Sequence, residues 1–258
     1  MKISFSIITV TYNSKADLLK TISSVQSQVN KNFIHIIKDG LSQDKTNEIE
    51  FFKLRNTVFY ESADNGVYDA MNKAFIYAKS EFIIFLNAGD IFLSKYSLKE
   101  ITHHIKNNPN FNSYSGGTLQ IDPIKKMPLR LIGIGRAYKY LPFAQLPHPS
   151  FIVKKSVLSK LKYPFDPKLE IASDYKQQLL FRKKGIWKTY YIDKIITVMP
   201  SGGISNKNKT SILKGYKETF LFTFSIYRFT SFYILLLKVL LNFYSKILIN
   251  NYKYEIKY

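Results

Sequence analysis

Cysteine is absent from all 258 residues. The chain therefore has no disulfide framework, no thiolate zinc site and no cysteine nucleophile; any catalysis rests on carboxylates, histidine or hydroxyls, and the composition fits a cytoplasmic protein. Also missing is a charge-free apolar run long enough to span a bilayer. Residues 220 to 249 are mostly Phe, Tyr, Leu and Ile, but Arg228, Lys238, Asn242 and Lys246 interrupt them, and a spanning helix needs about 20 predominantly apolar residues. The opening MKISFSIITVTYN has too short an apolar stretch and no small-residue cleavage site, so it reads as a first strand rather than a signal peptide. Acidic residues are scarce in one half only. Residues 1 to 124 hold 13 Lys and Arg against 12 Asp and Glu, residues 125 to 258 hold 25 against 6, and nearly all of the net charge of +20 lies in the second half. This asymmetry points to a polyanion, either an anionic membrane surface or nucleic acid, unless it reflects only a bias towards Lys, Asn, Ile, Tyr and Phe codons.

What is present suffices for a core: 46% of the residues are apolar. ISFSIITV (3–10) is β-branched and ends at TYNS; Leu18, Leu19, Ile22 and Val25 then recur at helical spacing over residues 15–27. FIHII (33–37) stops at KDGLSQDKT, a turn with capping residues that leads to an expected helix. TVFYES (57–62) reads as a third strand, VYDAMNKAFIYAK (67–79) as a helix and EFIIFL (81–86) as a strand buried on both faces. Alternating strands and helices argue for a mainly parallel sheet covered by helices, in which ligands bind beyond the C-terminal strand ends. Those ends carry TYN, DG, ESADNG and NAGD. Turns alone favour such residues, yet four polar ends on one rim favour a site. Residues 107–150 show no clear periodicity. SFIVKK (150–155) reads as a strand, SVLSKL as a short helix, SDYKQQLLFRKKG (173–185) as a helix and WKTYYIDKIITVM as strand. SGGIS (201–205), with Lys207 and Lys209, reads as a basic loop suited to closing over a diphosphate, or as a linker. Basic residues spread through aromatic and aliphatic C-terminal helices fit helices lying in a lipid interface; packing of the same helices on the protein body is the alternative.

In order and spacing these segments resemble the family 2 glycosyltransferases. SIITVTYN (6–13) is similar to their opening strand, IIKDGLSQDKT (36–46) to their second strand and nucleotide-contacting turn, and DNGVYDAMNKA (64–74) to their donor loop and helix. FLNAGD (85–90) stands where the family has its metal-binding acidic cluster. The resemblance covers residues 3–95 and extends loosely through HPSFIVKK (148–155) and SDY (173–175). GVYDAMNKA with LNAGD resembles a bacterial branch that builds surface polysaccharides, O-antigen or capsule. The resemblance implies a GT-A fold over residues 1–210, with a nucleotide-sugar half (1–106) and an acceptor half (107–210), followed by basic aromatic helices over 211–258 that associate with a membrane.

It further implies inverting transfer from a nucleotide-diphosphate sugar, a UDP-sugar, to a polyprenyl-diphosphate-linked saccharide, by an enzyme peripheral on the inner face of the plasma membrane with no nucleic-acid partner. Thr11, Tyr12, Asn13, Asp39, Ser42, Asp64, Gly66 and Asn72 then take nucleotide-binding positions. Asn87, Ala88, Gly89 and Asp90 take donor-sugar and phosphate positions, with Asp90 the ligand of a divalent cation, Mn or Mg. Asp174 takes the position of the general base, and His148 and Glu170 the acceptor side. The sequence departs from the family pattern at Asn87 and Gly89, where acidic residues are usual, and at Met71, where arginine is common. Mg²⁺ is typically held by one or two carboxylates plus phosphates and water, so Asp90 with a diphosphate forms a sufficient set. Asp174 also suits a plain helix cap. Two other classes compete. A non-catalytic membrane-surface or nucleic-acid-binding protein explains the charge but not the carboxylates at the strand ends, and a sugar nucleotidyltransferase wants a glycine-rich loop after strand one, where TYNSKAD has no glycine.

Overall fold

Strand β1 (Phe5–Thr11) is buried at all seven positions, the pattern of a strand covered on both faces. The computed structural model describes residues 3–203 and 208–252. Helix α1 (Lys15–Gln26) follows β1 and buries Leu18, Ile22 and Val25, the stripe expected from their spacing. Next come β2 (Phe33–Asp39), β3 (Thr57–Glu61), α2 (Val67–Phe75), β4 (Phe82–Phe85), the short β5 (Ile91–Phe92) and α3 (Ser97–Asn107). The second half comprises β6 (Ser113–Ile121), β7 (Pro128–Ile132), α4 (Arg136–Tyr140), β8 (Phe151–Lys154), α5 (Lys155–Leu158), α6 (Ser173–Lys183), β9 (Thr189–Pro200), α7 (Lys209–Tyr227) and α8 (Thr230–Tyr252). The basic loop suspected at SGGIS with Lys207 falls largely on residues 204–207, outside the described residues.

One nine-stranded sheet runs β3-β2-β1-β4-β8-β6-β9-β5, with β7 beside β6. Its first four strands are parallel. Beyond β4 the pairs β4–β8, β6–β8, β6–β7 and β5–β9 are antiparallel and β6–β9 is parallel, so the parallel character expected from the alternation holds for β1 to β4 and gives way to a mixed sheet after them. No helix follows KDGLSQDKT. The segment makes only two single 3₁₀ turns, at Thr46–Glu48 and Phe51–Lys53, because Phe51 stacks on Phe59 of β3 with ring centroids 3.9 Å apart and ties the chain down. Helix α2 stops at Phe75, short of the expected residue 79.

The C-terminal helices pack on the body along one face. Leu237, Leu241, Leu248 and Ile249 of α8 belong to the same core cluster as Leu131 of β7 and Tyr138 of α4, and Phe222 and Ile234 pack with Tyr175 and Leu179 of α6. Thr230–Ile249 has the length and mean hydropathy (1.7) of a spanning helix despite its two lysines, a property the interrupted apolar run had argued against. Lys238 is nevertheless turned inward, donating to Thr219 Oγ1 at 2.8 Å above the Tyr175 ring. The opposite face is apolar and bare: Leu213, Leu221, Phe229, Phe232, Leu236 and Phe243 are each 57–83% exposed.

The β1–β2 register sets His35 opposite Ile7, and its imidazole Nε2 lies 2.9 Å from Thr9 Oγ1. The Thr9 hydroxyl gives its own hydrogen to Leu86 O at 2.6 Å, so Nε2 is the protonated nitrogen. Nδ1 is left buried without a partner, and burial lowers the His35 pKa to about 3. A base with a depressed folded pKa is protonated first in the unfolded chain, so its contribution to stability is lost as pH falls from about 6.5 towards 3. Urea melts between pH 7 and 4 should show stability falling on acidification with one proton taken up on unfolding, and His35→Leu should flatten that dependence.

Candidate functional site

Strand register assembles the rim. Thr11 lies opposite Asp39 and Asp39 opposite Glu61. The chain after β4 continues beside β1, with Leu86 N donating to Ile8 O at 2.8 Å and Ala88 N to Val10 O at 3.2 Å. The four polar strand ends are thus neighbours in space. Asn13, at φ +47°, ties the first two together: its N–H donates to Ser42 Oγ at 2.7 Å, and its Oδ1 accepts from Gln43 N at 2.7 Å. Asp39 is 1% exposed, and both its oxygens accept from Ser42, from N–H at 2.7 Å and from the hydroxyl at 2.6 Å. Asp39 and Ser42 therefore build the turn, while Tyr12 stands out from it, 62% exposed. Thr11 Oγ1 is buried without a partner.

Lys38, fully buried, forms an ion pair with Asp64. The other Asp64 oxygen accepts from Gly66 N at 3.0 Å, and Gly66 has φ +108° with nothing within 4 Å of where a Cβ would stand. This ion pair fixes the donor-loop segment to the end of β2. Asn72 sits elsewhere: its amide donates to Phe165 O at 2.7 Å and accepts from Phe165 N at 3.0 Å, so it braces the segment before α6. Met71 is buried in the main core.

The NAGD turn is organised by Thr21 of α1. The Thr21 hydroxyl donates to Asp90 O at 2.8 Å and accepts from Gly89 N at 3.0 Å. Gly89 has φ +97° and packs against Pro200, a Cβ there meeting Pro200 Cγ at 3.3 Å. Few side-chain-bearing residues adopt that φ, which accounts for glycine at this position. Asp90 is 7% exposed and Asn87 Oδ1 is buried with no partner. Burial pushes the Asp90 carboxyl up to about 8. Among the described residues no three His, Asp or Glu side chains converge. The orphaned Asn87 Oδ1 and the Asp90 carboxyl are hard oxygen donors in one turn, which fits a cation that takes its other ligands from phosphate and water.

Asp174 opens α6, with Oδ1 3.4 Å from Tyr68 OH and Oδ2 accepting from Gln145 Nε2 at 3.2 Å. Burial, and secondarily Asp174, raises the Tyr68 pKa well above that of a free phenol, so Tyr68 is a neutral donor. Tyr68 lies in the first turn of α2 and its OH also donates to Ile171 O at 2.7 Å, joining the start of α2 to the start of α6. His148 stacks on Phe85, the last residue of β4, with centroids 5.6 Å apart, and meets Phe165 edge-on at 5.5 Å, the two phenylalanines also touching each other at 4.8 Å. Its Nε2 is shielded and unpartnered, and burial lowers its pKa although nearby Asp174 opposes that. The imidazole is therefore neutral and lies near Asp174. Glu170 is elsewhere, exposed and paired with Lys214 of α7 at 2.6 Å.

The sequence profile described as "Glycosyl transferase family 2" matches residues 6–161. The chain belongs to this family. An uncharacterized glycosyltransferase of Methanocaldococcus jannaschii is 32% identical over 66% of this chain and 61% of its own length. The UDP-Glc:alpha-D-GlcNAc-diphosphoundecaprenol beta-1,3-glucosyltransferase WfgD of Escherichia coli is 32% identical over 41% of this chain and 43% of its own. The chain thus spans under two thirds of the length of these relatives. In fold it is similar to S. aureus TarS in complex with UDP-GlcNAc, with a TM-score of 0.68 at 18% identity over 99% of this chain and 76% of that one. It is also similar to the mannosyltransferase PcManGT of Pyrobaculum calidifontis in complex with GDP-Man and Mn²⁺, with a TM-score of 0.64 at 13% identity over 84% of this chain and 64% of that one. Membership explains the shape of the rim but not four residues absent from the candidates read in the sequence: Thr21, Lys38, Tyr68 and Gln145. Of these, Tyr68 and Lys38 stood inside motifs, GVYDAMNKA and IIKDGLSQDKT, while Thr21 and Gln145 did not; Thr21, Lys38 and Gln145 act through partners 26 to 69 residues away.

Proposed function

We propose that this family 2 member is an inverting glycosyltransferase that moves a sugar from a nucleotide-diphosphate sugar, a UDP-sugar, to a lipid-linked saccharide in surface-polysaccharide synthesis. The observation that supports the reading is the link from the residues after β3 to Asp174 through Tyr68, whose OH lies 3.4 Å from Asp174 Oδ1, beside the cluster of Phe85, His148 and Phe165 at the end of β4. In the step, the acceptor oxygen bonds to the anomeric carbon as the carbon–phosphate oxygen bond breaks. Asp174 takes the hydroxyl proton, and the electron pair leaves on the nucleoside diphosphate. Tyr68 and Gln145 hold Asp174 in place, and neutral His148 faces the acceptor. Tyr12 packs on the base, Asn13, Asp39 and Ser42 hold the turn beneath it, and Gly66 lets the backbone approach the ligand. Asn87 and Asp90 are the residues that would hold a Mn²⁺ or Mg²⁺ ion, which neutralises charge on the departing diphosphate. Screening nucleotide sugars for binding and turnover with and without Mn²⁺ tests the reading; a protein that binds none of them is not a transferase.

Asp90 supplies a separate test. Its folded pKa of about 8 lies above the ordinary 3.8, so the neutral form stabilises the ligand-free protein and that contribution is lost as pH rises from about 4 through about 8. Thermal melts should show ligand-free wild type losing stability towards pH 8 relative to Asp90→Asn. Mn²⁺ with UDP should restore it in wild type only; equal restoration in the variant would remove Asp90 from the cation site.

The bare face of α7 and α8 supports a peripheral position at the cytoplasmic side of the plasma membrane, its apolar residues at the acyl boundary and the surrounding lysines at the headgroups. Each large side chain buried contributes about 1.5–3 kcal/mol. Leu236→Glu with Phe243→Glu should therefore lower sedimentation with phosphatidylglycerol vesicles by at least about tenfold, and unchanged sedimentation would sink the membrane reading.

A further inference from the structure

A cavity of about 430 Å³ lies between the ends of α4, α6 and α7, lined by Lys139, Phe143, Arg182, Lys183, Trp187 and Tyr227 among others, with no acidic residue in its described lining. Arg182 is held rigidly. Its guanidinium lies 3.5 Å from the Trp187 ring centroid and donates to Ala144 O at 3.0 Å and Gln178 O at 3.4 Å. Burial lowers its pKa to about 10. Among the described residues it makes no ion pair. A desolvated cation without a counter-charge is unfavourable, and an arriving anion relieves it. Two further cations, Lys139 and Lys183, are exposed and line the same cavity.

Two features connect this cavity to the reaction. Asp174 is in the first turn of α6 and Arg182 in its last, a separation of about 12 Å along the axis at ~1.5 Å per residue. Phe143 lines the cavity, takes a hydrogen bond from Tyr175 OH at 2.6 Å, and stands two residues before Gln145, which holds Asp174. At the cavity edge Phe143 meets Tyr227 and Tyr233, with centroids 5.2 and 6.5 Å away. Phe229 and Phe232 of the bare apolar face follow, 83% and 58% exposed.

We infer that this cavity binds the diphosphate of a lipid-linked acceptor, with Arg182 as its main ligand, Lys139 and Lys183 at its mouth, the lipid tail on the apolar face of α7 and α8, and the saccharide passing over the 143–146 segment, which packs on α6, towards Asp174. The inference rests on the transferase reading for the direction in which the saccharide runs. Trp187 is the single tryptophan of the chain, so its fluorescence reports on this cavity. Titration of the full chain with farnesyl diphosphate in mild detergent should quench it saturably; farnesol should not, and inorganic pyrophosphate should bind at least tenfold more weakly. Arg182 also ties α6 to Ala144, so the deciding variant reverses the two exposed lysines: Lys139→Glu with Lys183→Glu should weaken farnesyl diphosphate at least tenfold while binding to zwitterionic phosphatidylcholine vesicles, which rests on the apolar face, stays within twofold. Absence of quenching, or quenching unchanged by the double reversal, overturns the inference. So does a reversal that abolishes vesicle binding while farnesyl diphosphate is without effect, which would mark a phospholipid headgroup site. Nucleotide-sugar binding measured on the same preparation separates the two readings. If it persists while farnesyl diphosphate fails, only this inference falls; if it is absent while quenching remains, the anion site stands and the transferase reading falls.

Discussion

Asp174→Asn should reduce sugar transfer by about 10²–10⁴-fold, the usual contribution of a general base, while binding of the nucleotide sugar stays close to wild type. The substitution keeps size, keeps an oxygen for Tyr68 OH, and keeps a residue type suited to the start of α6, so the fold is retained and the lost property is the ability to accept a proton. Asp174 is held by Tyr68 and Gln145 at the start of α6, whereas the proposed nucleotide rim is at the ends of β1 to β4, so on that reading donor affinity is insulated from the change. Transfer rate and donor dissociation constant measured side by side decide the matter. Transfer within tenfold of wild type would mean that another group takes the proton, and a parallel collapse of donor binding would mean that Asp174 is structural. Tyr68→Phe and Gln145→Leu should give smaller losses, because each removes one of the two contacts that hold the carboxylate.

The second large effect is on stability. Asp64→Ala should lower the unfolding free energy by about 3–5 kcal/mol, the usual result of leaving a buried charge without its partner. Lys38 has no exposed side-chain surface and Asp64 keeps 13%, so water screens the pair little. The same carboxylate accepts from Gly66 N–H at 3.0 Å, so its removal should also loosen the donor loop and weaken nucleotide-sugar binding. Removing both charges with Lys38→Met and Asp64→Leu should recover much of the stability but not the donor binding. Urea melts of the two single variants and the double variant test this. A loss below 1 kcal/mol for Asp64→Ala, or no recovery in the double variant, would show that the pair does not anchor the loop.

The nucleotide-sugar half was legible because its signals are local. Non-alternating apolar runs marked strands β1, β2 and β4, helical spacing marked α1, and polar residues after each strand marked the rim. The failures have a common cause. Residues 107–150 form β6, β7 and α4, but their strands are covered by partners distant in sequence, so burial follows from tertiary pairing rather than a period of two. The expected helix after KDGLSQDKT lost to a Phe51–Phe59 stack across the β3 connection. Asn72, placed with the nucleotide by its motif, bonds the backbone of Phe165, 93 residues on, and Glu170 turns outward to Lys214.

By itself the sequence determined the order of strands and helices outside residues 40–56 and 107–150, the carboxylates and amides at the strand ends, the absence of cysteine chemistry and the basic, aromatic character of the C-terminal half. Backbone sterics and hydrophobic spacing act over a few residues and can be read in one dimension. Only the tertiary structure decided which polar groups are satisfied by the protein and which are left over. Ser42 takes both oxygens of Asp39, Lys38 takes Asp64, and Thr21 holds the NAGD turn, whereas Thr11, Asn87 and His148 keep buried polar atoms without partners. It also decided that α7 and α8 are at once part of the core and bare on their outer face. Desolvation and pairing depend on neighbours brought together from distant parts of the chain, and one-dimensional spacing does not encode them.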